Sequence, residues 1–129
     1  MTQTQRTEEQ EIRRRIAEVV TAFQKSQMSG AQCSIAVSIQ PDAVVITLRG
    51  VMSPAEKRLV EIGKERGLLE EFYRRAFELG KGRLEATIGD IIGRKVAHSF
   101  LHMDADSGDA VIMATLEGIP DASQREVKS

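Results

Sequence analysis

The sequence predicts an α+β fold in which helices pack on one face of a mainly antiparallel, four-stranded sheet. Apolar residues recur at helical spacing in three segments, whereas four other segments alternate apolar and polar residues with a period of two. Short turns join these four segments in two pairs, so we expect two β-hairpins and the element order α-β-β-α-α-β-β. The chain of 129 residues is long enough for one hydrophobic core. We predict a flexible N-terminus at residues 1–6, a single domain at 7–117 and a flexible tail at 118–129.

The first helix is predicted from residue 7 to residue 27. Thr7 and Gln10 have the spacing of a capping box, in which each side chain accepts the backbone N–H of the other residue. The apolar face that follows consists of Ile12, Ile16, Val19 and Phe23. Gly30 then breaks the helical period, as expected of a residue just beyond a helix C-terminus.

Each hairpin is predicted from two alternating segments and the turn between them. The first hairpin joins residues 32–39 to residues 43–49 through a turn that contains proline. The second joins residues 95–103 to residues 110–116 through the turn Asp-Ala-Asp-Ser-Gly-Asp. On the third strand, one face has Val96, His98, Phe100 and His102, and the other has Ala97, Ser99, Leu101 and Met103. The apolar face of each hairpin is expected to meet the helices.

The second helix has three start signals within four residues. Ser53 is suited to the N-cap, Pro54 to the first helical position, and Glu56 completes a capping box with Ser53. Leu59 and Ile62 give this helix an apolar stripe.

A longer helix is predicted from residue 68 to residue 92, with Gly67 separating it from the second helix and Gly93 ending it. Its predicted inward face consists of Phe72, Ala76, Leu79, Leu84, Ile88 and Ile91. Gly80 and Gly82 each cost about 1 kcal/mol relative to alanine inside a helix, so we expect a bend or break there.

The charge balance argues against several classes of function. The chain has 18 basic and 19 acidic residues, and residues 53–92 hold eight of each, so no basic field attracts nucleic acid. Glu70 with Arg74 and Glu71 with Arg75 have the spacing of ion pairs on one helix. We therefore do not expect nucleic-acid binding.

The single cysteine and the lack of a long apolar segment predict a cytoplasmic protein with no disulfide and no membrane span.

The histidines and three arginines are the candidate contacts for a ligand or a partner. His98 and His102 lie four residues apart on a strand, about 13 Å between Cα atoms, which is too far to share one metal ion. Ordinary sheet-face histidines are the favoured interpretation, and a pH-sensitive or ligand-contacting role is the alternative. Arg74, Arg75 and Arg94 complete the candidate set. We predict no catalytic residue, no cofactor and no metal site.

Two further motifs are interpreted as structural. Cys33 opens a strand, and no cation or histidine beside it in the sequence would lower its pKa, so we interpret it as a small apolar residue. Residues 104–109 begin like a calcium-binding loop. The sixth and twelfth positions of that loop are Asp109 and Thr115 instead of glycine and glutamate, so we predict a polar turn.

Two segments of the chain carry a family resemblance. The first is LRGVMSPAEKRLVEIGKERGLLEEFYRRAF, whose leading positions are Leu48, Arg49, Gly50, Met52, Ser53, Pro54, Ala55 and Glu56. The second is IGRKVAHSFLHMDADSGDAVIMATLEG, which has a glycine and basic pair at Gly93, Arg94 and Lys95. On the basis of these segments, the chain resembles the family named for the MpsC component of a sodium-translocating, membrane-potential-generating system. The resemblance covers about residues 8 to 117. In place of that family's Gly-basic-Gly-Pro segment, the chain has Met28, Ser29, Gly30 and Ala31.

We expect a non-enzymatic, cytoplasmic regulatory or protein-interaction domain. Apolar residues on both faces of the third strand suggest self-association, as a homodimer or higher homo-oligomer, through an exposed sheet face or an edge strand. The resemblance implies the first alternative, a soluble accessory subunit of a membrane ion-translocating system with a membrane partner protein. The second alternative is a small-ligand sensor or an uncharacterised enzyme that uses His98, His102 and nearby arginines. The resemblance implies no catalytic residue.

Overall fold

The computed structural model describes residues 3–28, 33–63 and 65–118. Its elements are α1 (Gln3–Gln27), β1 (Ser34–Ile39), β2 (Ala43–Arg49), α2 (Pro54–Glu61), α3 (Arg66–Ile92), β3 (Val96–Asp104) and β4 (Asp109–Leu116). The predicted fold class and element order are confirmed. The predicted helix stop at Gly30 lies outside the described residues, as do residues 1–2 of the predicted flexible N-terminus and residues 119–129 of the predicted flexible tail.

The four strands form one antiparallel sheet in the order β1-β2-β4-β3. Each hairpin pairs its own two strands, and β2 pairs with β4 to join the two hairpins. This order places β2 and β4 in the centre of the sheet and leaves β1 and β3 at its edges. On one face of the sheet, α1 lies against β1, α3 lies against β3, and the two helices pack on each other.

The hydrophobic core lies between this face and the helix layer. The sheet contributes Val44, Ile46, Leu48, Leu101, Met103, Ile112 and Ala114. The helices contribute Ile16, Val20, Phe23, Tyr73, Phe77, Leu84 and Ile88. The rings of Phe23 and Phe77 pack edge to face, with 5.7 Å between their centroids, and this contact joins α1 to α3. Because the core occupies one face of the sheet, the opposite face is not covered by any described element.

Two predicted helix boundaries are wrong. The first helix begins at Gln3, so Thr7 lies inside it and the predicted capping box of Thr7 with Gln10 does not start the helix. The second helix ends just before Gly63, whose φ of +86° is the left-handed backbone that commonly follows a helix C-terminus. The predicted break at Gly67 is therefore replaced by one at Gly63, and Gly67 lies in the first turn of α3.

The inward face of α3 differs from the predicted one. Leu69, Tyr73 and Phe77 are buried at four-residue spacing, whereas Phe72 and Leu79, both predicted to face inward, are 51% and 88% exposed. The predicted inward residues that are buried are Ala76, Leu84 and Ile88. The reason is that α3 carries two apolar stripes, and the stripe that contains the tyrosine packs into the core.

The third helix is also continuous through its two central glycines. The predicted bend or break at Gly80 and Gly82 is wrong, because the helix runs unbroken over Arg66–Ile92. At Gly80 an added Cβ would lie 2.9 Å from Gln27 Oε1 and 3.0 Å from Phe23 Cε1, so only glycine fits this contact without displacing a neighbour. The glycine therefore permits a close approach of α1 and α3.

The third strand contains a bulge that changes one predicted side-chain direction. The pairing with β4 shifts register between Val96 and His98, and Val96 is buried on the same face as Leu101. The prediction that Val96 shares a face with Phe100 is therefore wrong. The predicted common face of His98, Phe100 and His102 is confirmed.

Candidate functional site

The candidate site is the face of the sheet opposite to α1 and α3, which we call the open face. It is formed by alternate residues of all four strands, because side chains two positions apart lie on the same side of a strand. Strand pairing arranges these residues in rows that cross the sheet from β1 to β3. Two central rows are Ala36, Thr47, Val111, His102 and Ser38, Val45, Met113, Phe100. An end row continues the same register with Ser34, Arg49, Asp109 and Asp104.

The side chains of the open face increase in size from one edge to the other. The β1 edge carries Ser34, Ala36 and Ser38. The two central strands carry Val45, Thr47, Val111, Met113 and Thr115. The β3 edge carries His98, Phe100 and His102. The side chains of the open face therefore project only a short distance from the sheet at the β1 edge, which we call the low edge, and farther at the β3 edge, which we call the high edge.

The middle of the open face has no formal charge. The two central rows contain no Asp, Glu, Lys or Arg, although these residues make up 29% of the chain. Charged residues occur only in the end row, where Arg49 makes no ion pair with any described residue. Phe100 is 44% exposed at the β3 edge. Exposed apolar side chains without charged neighbours are typical of the centre of a protein–protein interface.

Both histidines lie on the open face, at the β3 edge. The Thr115 hydroxyl oxygen lies 3.1 Å from His98 Nδ1, and both histidines are exposed. Within residues 3–28, 33–63 and 65–118, no group of three or more His, Cys, Asp or Glu side chains is arranged to hold a metal ion. His98 and His102 are therefore part of the surface that the open face presents.

Arg74 and Arg75 lie in the helix layer, on the solvent side of α3. Glu71 Oε2 accepts hydrogen bonds from Arg74 Nη2 at 2.7 Å and from Arg75 Nε at 2.8 Å. The hydrogen bond from Arg74 is the largest cause, and the bond from Arg75 the next, of a lowered pKa of Glu71, which falls to about 2. The predicted pair of Glu70 with Arg74 is wrong, because Glu70 instead accepts the backbone N–H of Ala105 at 2.9 Å. The pair of Glu71 with Arg75 is confirmed.

Arg94 links the turns at one end of the sheet. Its Nη1 donates to the carbonyl oxygen of Pro41 at 2.5 Å, and its other nitrogens donate to the carbonyl oxygens of Glu117 and Gly118. The guanidinium therefore ties the turn of the first hairpin to the end of β4. The five candidate contacts thus lie in three places: the open face, the helix layer and this end of the sheet.

The segment between β2 and α2 is held by hydrogen bonds from several elements. Ser53 Oγ accepts the N–H of Glu56 at 3.2 Å and Glu56 Oε1 accepts the N–H of Ser53 at 2.9 Å, which confirms the predicted capping box. The buried Tyr73 hydroxyl donates to the same Glu56 oxygen at 2.6 Å. Asp109 Oδ1 accepts the N–H of Gly50 at 3.0 Å. The roles of the tyrosine and the aspartate were not predicted from the sequence. The signal for the tyrosine was its four-residue spacing with the buried Leu69 and Phe77.

Cys33 and the turn of the second hairpin have structural surroundings. Cys33 is half-buried and packs against the core, and burial raises the pKa of its thiol. The thiol therefore stays protonated and is a weak nucleophile. In the turn at residues 105–108, Gly108 has a φ of +77°. A hydrogen bond from Ser107 is the main reason that the pKa of Asp104 is lowered.

Four large apolar side chains near the junction of α2 and α3 are also exposed. Leu59 lies on α2 and Ile62 is the C-cap residue of α2, three positions further on. Leu68 and Phe72 lie one turn apart on α3, and we call these four side chains the helix corner. Ile62 is 61% exposed and Leu68 is 67% exposed. The apolar stripe predicted for the second helix therefore faces solvent, since α2 has no buried residue and reaches the core only through the half-buried Val60.

The fold and the open face define a two-layer α+β protein with one helix-covered and one uncovered sheet face. A family model described as "Na+-translocating membrane potential-generating system (MpsC)" matches residues 8–118. Because this match spans most of the sequence, the chain belongs to the MpsC family, and the predicted resemblance is confirmed. The family description indicates a component of a system that generates a membrane potential by moving Na⁺.

Comparisons with curated proteins and with solved structures found no match. In the part of the chain that the structure describes, no helix combines the length and the apolar character that crossing a membrane requires. Of positions 28–31, where the resemblance predicts a Gly-basic-Gly-Pro segment, only Met28 is among the described residues.

Proposed function

We propose that the chain is a non-enzymatic, cytoplasmic regulatory component of a sodium-translocating membrane system and that it self-associates through the open face. The observation that carries this proposal is the uncharged middle of the open face, which no described element covers. Pairing of two copies would remove Val45, Phe100, Val111 and Met113 of each copy from water. The burial of such apolar surface is the main favourable term in protein association.

The positions of the candidate chemical groups support a non-enzymatic role. His98 and His102 are separated by the sheet from Arg74 and Arg75, which already share the carboxylate of Glu71. A general acid or base acts only on a proton within hydrogen-bond reach, so groups on opposite layers do not act on one substrate atom.

Light scattering over a concentration series tests self-association. We expect the mean mass to rise from one chain toward two as concentration increases. Phe100→Glu places a charge on the open face and should keep the chain monomeric at concentrations at which the wild type pairs. Leu79→Glu is the matched control, because it makes the same kind of change at an 88% exposed position of α3. The control should pair like the wild type.

Two outcomes would count against the proposal. A wild-type chain that stays monomeric throughout the series would reject self-association. An equal loss of pairing in Phe100→Glu and Leu79→Glu would show that the change of charge, and not its position on the open face, weakens pairing.

A second function, binding to a membrane partner protein, is supported by the helix corner. Its four apolar side chains are exposed, and they belong to α3, in the layer opposite to the open face, or to the adjoining α2, which contacts α3. Pairing through the sheet therefore leaves them accessible. Large exposed apolar side chains gathered on one part of a surface commonly mark a binding site. The family description, which names a sodium-translocating system, supports a membrane protein as the partner.

A pull-down from native membranes tests this second function. Wild-type protein should capture a membrane protein, and Leu68→Glu should lose most of that capture because it puts a charge on the helix corner. Thr21→Glu, at an exposed position of α1, is the control and should capture as well as the wild type. Repeated capture of proteins without any membrane span would sink the proposal.

A further inference from the structure

We infer that the occupant of the open face is a second copy of this chain, docked face to face about a two-fold axis parallel to the strands. This inference rests on the proposed self-association and adds the geometry of the pair. With this axis, β1 of one copy lies over β3 of the other, and β2 lies over β4. Each row of the open face then lies level with the same row of the second copy.

The gradient of side-chain size makes the open face complementary to itself about this axis. The high β3 edge of one copy meets the low β1 edge of the other. Phe100 faces Ser38 of the partner subunit, and His102 faces Ala36 of the partner subunit, because these residues share rows. Large residues thus oppose small ones at both edges, which keeps the sheets about 10 Å apart across the whole face.

The charges of the end row select the same axis. Arg49 lies on β2 and Asp109 lies on β4, the two strands that exchange places across the dimer. Arg49 of one copy therefore faces Asp109 of the partner subunit, and symmetry repeats this pair. Opposite charges at the rim of an interface fix its register more than they add to its affinity.

A two-fold axis perpendicular to the strands gives a poorer fit. Each strand would then lie over its own copy, so Phe100 and the histidines would meet large residues at one edge and the serines would meet small ones at the other. The separation of the sheets would differ between the two edges, which close packing disfavours. The order of the rows would also be reversed, and Arg49 would lie over the end of the sheet that contains Ala43 and Thr115.

The open face is also large enough for a pair of chains. Four strands about 4.8 Å apart, each about as long as the 7-residue β2 at about 3.3 Å per residue, give a plane of roughly 19 by 23 Å, or about 440 Å² per copy. Two copies cover about 900 Å² before the relief of the side chains is added, which is close to the ~1,000 Å² expected of a biological interface.

Cross-linking of single-cysteine chains tests the axis. In a Cys33→Ala background, we mix Ser38→Cys with Phe100→Cys and add a short bis-maleimide. Ala36→Cys mixed with His102→Cys is a second, independent pair that leaves Phe100 intact. We expect each mixture to give cross-linked dimers. Each variant alone should give none, because the same residue in the two copies, on β1 of both or on β3 of both, is displaced by about 14 Å across the sheet. Light scattering of every variant records its oligomeric state.

The outcomes separate this inference from the proposed function. Cross-linked dimers from a single variant alone would overturn the axis and leave self-association intact. A dimer by light scattering with no cross-link in either mixture would overturn the open face as the interface. A monomer in the wild type would overturn both.

A charge exchange tests the end row separately. Arg49→Glu alone and Asp109→Lys alone should each weaken the dimer about tenfold, and mixing them should restore wild-type affinity, because each mixed pair has opposite charges. Asp109→Asn is the folding control, since its side-chain oxygen still accepts the N–H of Gly50. A mixture no stronger than either variant would overturn the proposed contact.

Discussion

At Gly80, α3 approaches side chains of α1 closely, so replacing this glycine with alanine tests how the helix layer is packed. A Cβ there would lie 3.0 Å from Phe23 Cε1 and 2.9 Å from Gln27 Oε1, closer than ordinary van der Waals contact. The exposed Gln27 side chain is able to rotate away. The Phe23 ring is not, because it is buried and packs edge to face on Phe77. The added methyl group must therefore strain the ring or push the two helices apart.

Gly82→Ala is the matched control for this substitution. Gly82 lies in the same helix, and a Cβ at that position meets no atom within 4 Å. Both substitutions gain about 1 kcal/mol of helix propensity, so this gain cancels when the two variants are compared. Overpacking of a core costs about 1–3 kcal/mol. We therefore expect Gly80→Ala to be about 2 kcal/mol less stable than Gly82→Ala, and Gly82→Ala to be slightly more stable than the wild type.

Urea unfolding followed by circular dichroism measures this difference, with all chains at one concentration because the proposed self-association would add to stability. For a chain of this size, 2 kcal/mol corresponds to roughly 8 °C in Tm. Equal stability of the two variants would refute the close contact of α1 with α3. A Gly80→Ala chain more stable than Gly82→Ala would show that the helices are farther apart than described.

Two further substitutions and one pH titration test the hydrogen bonds of the helix layer. Ser53→Ala removes the N-cap acceptor and should lower the unfolding free energy by about 1 kcal/mol in a thermal melt; an unchanged Tm would contradict the capping role. Tyr73→Phe removes the hydroxyl that donates to Glu56 and should cost about 1–3 kcal/mol in urea unfolding, against no change if the bond is absent. The stability due to Glu71 is fully present above its ordinary pKa of 4.5 and lost as pH falls through about 2. A pH titration of the Glu71 side chain by NMR checks this value, and a midpoint near 4.5 would refute it.

The boundaries that were predicted correctly are set by signals within a few residues. Ser53 caps α2 by accepting the N–H of Glu56, and Gly93, with a φ of +82°, ends α3. Both signals act through backbone groups next to them in the chain. For this reason the sequence alone was sufficient at these positions. The bounds of β2 were also predicted correctly, because the alternating residues of this strand directly follow the turn that contains proline.

The inward face of α3 depends on contacts that are distant in the chain. Phe72 belongs to one apolar stripe of this helix, and Tyr73 and Phe77 belong to the other. Helical periodicity supports both stripes equally. The choice between them is made by packing, which places Phe77 against Phe23 of α1 and leaves room at Gly80 for the two helices to meet. The spacing of apolar residues within α3 therefore does not predict which stripe is buried.

The open face could be predicted only in part. Alternation correctly placed His98, Phe100 and His102 on one side of the third strand. The bulge that turns Val96 to the opposite side was not visible, because a bulge is defined by the partner strand. The pairing of β2 with β4 was also not predicted, and it is this pairing that unites the two hairpins and creates the gradient of side-chain size.

If both proposals hold, pairing regulates binding to a membrane partner, because the two proposed surfaces are separate and one does not cover the other. A face-to-face dimer buries the open faces and leaves both helix corners exposed on its outer sides. The two helix corners of a dimer are held together. Once one corner has bound a partner that presents two sites, the second corner meets the second site at a high effective concentration. Phe100→Glu, although it leaves the helix corner intact, should therefore also weaken capture in the membrane pull-down. Capture that is independent of pairing would mean that the partner engages one chain at a time.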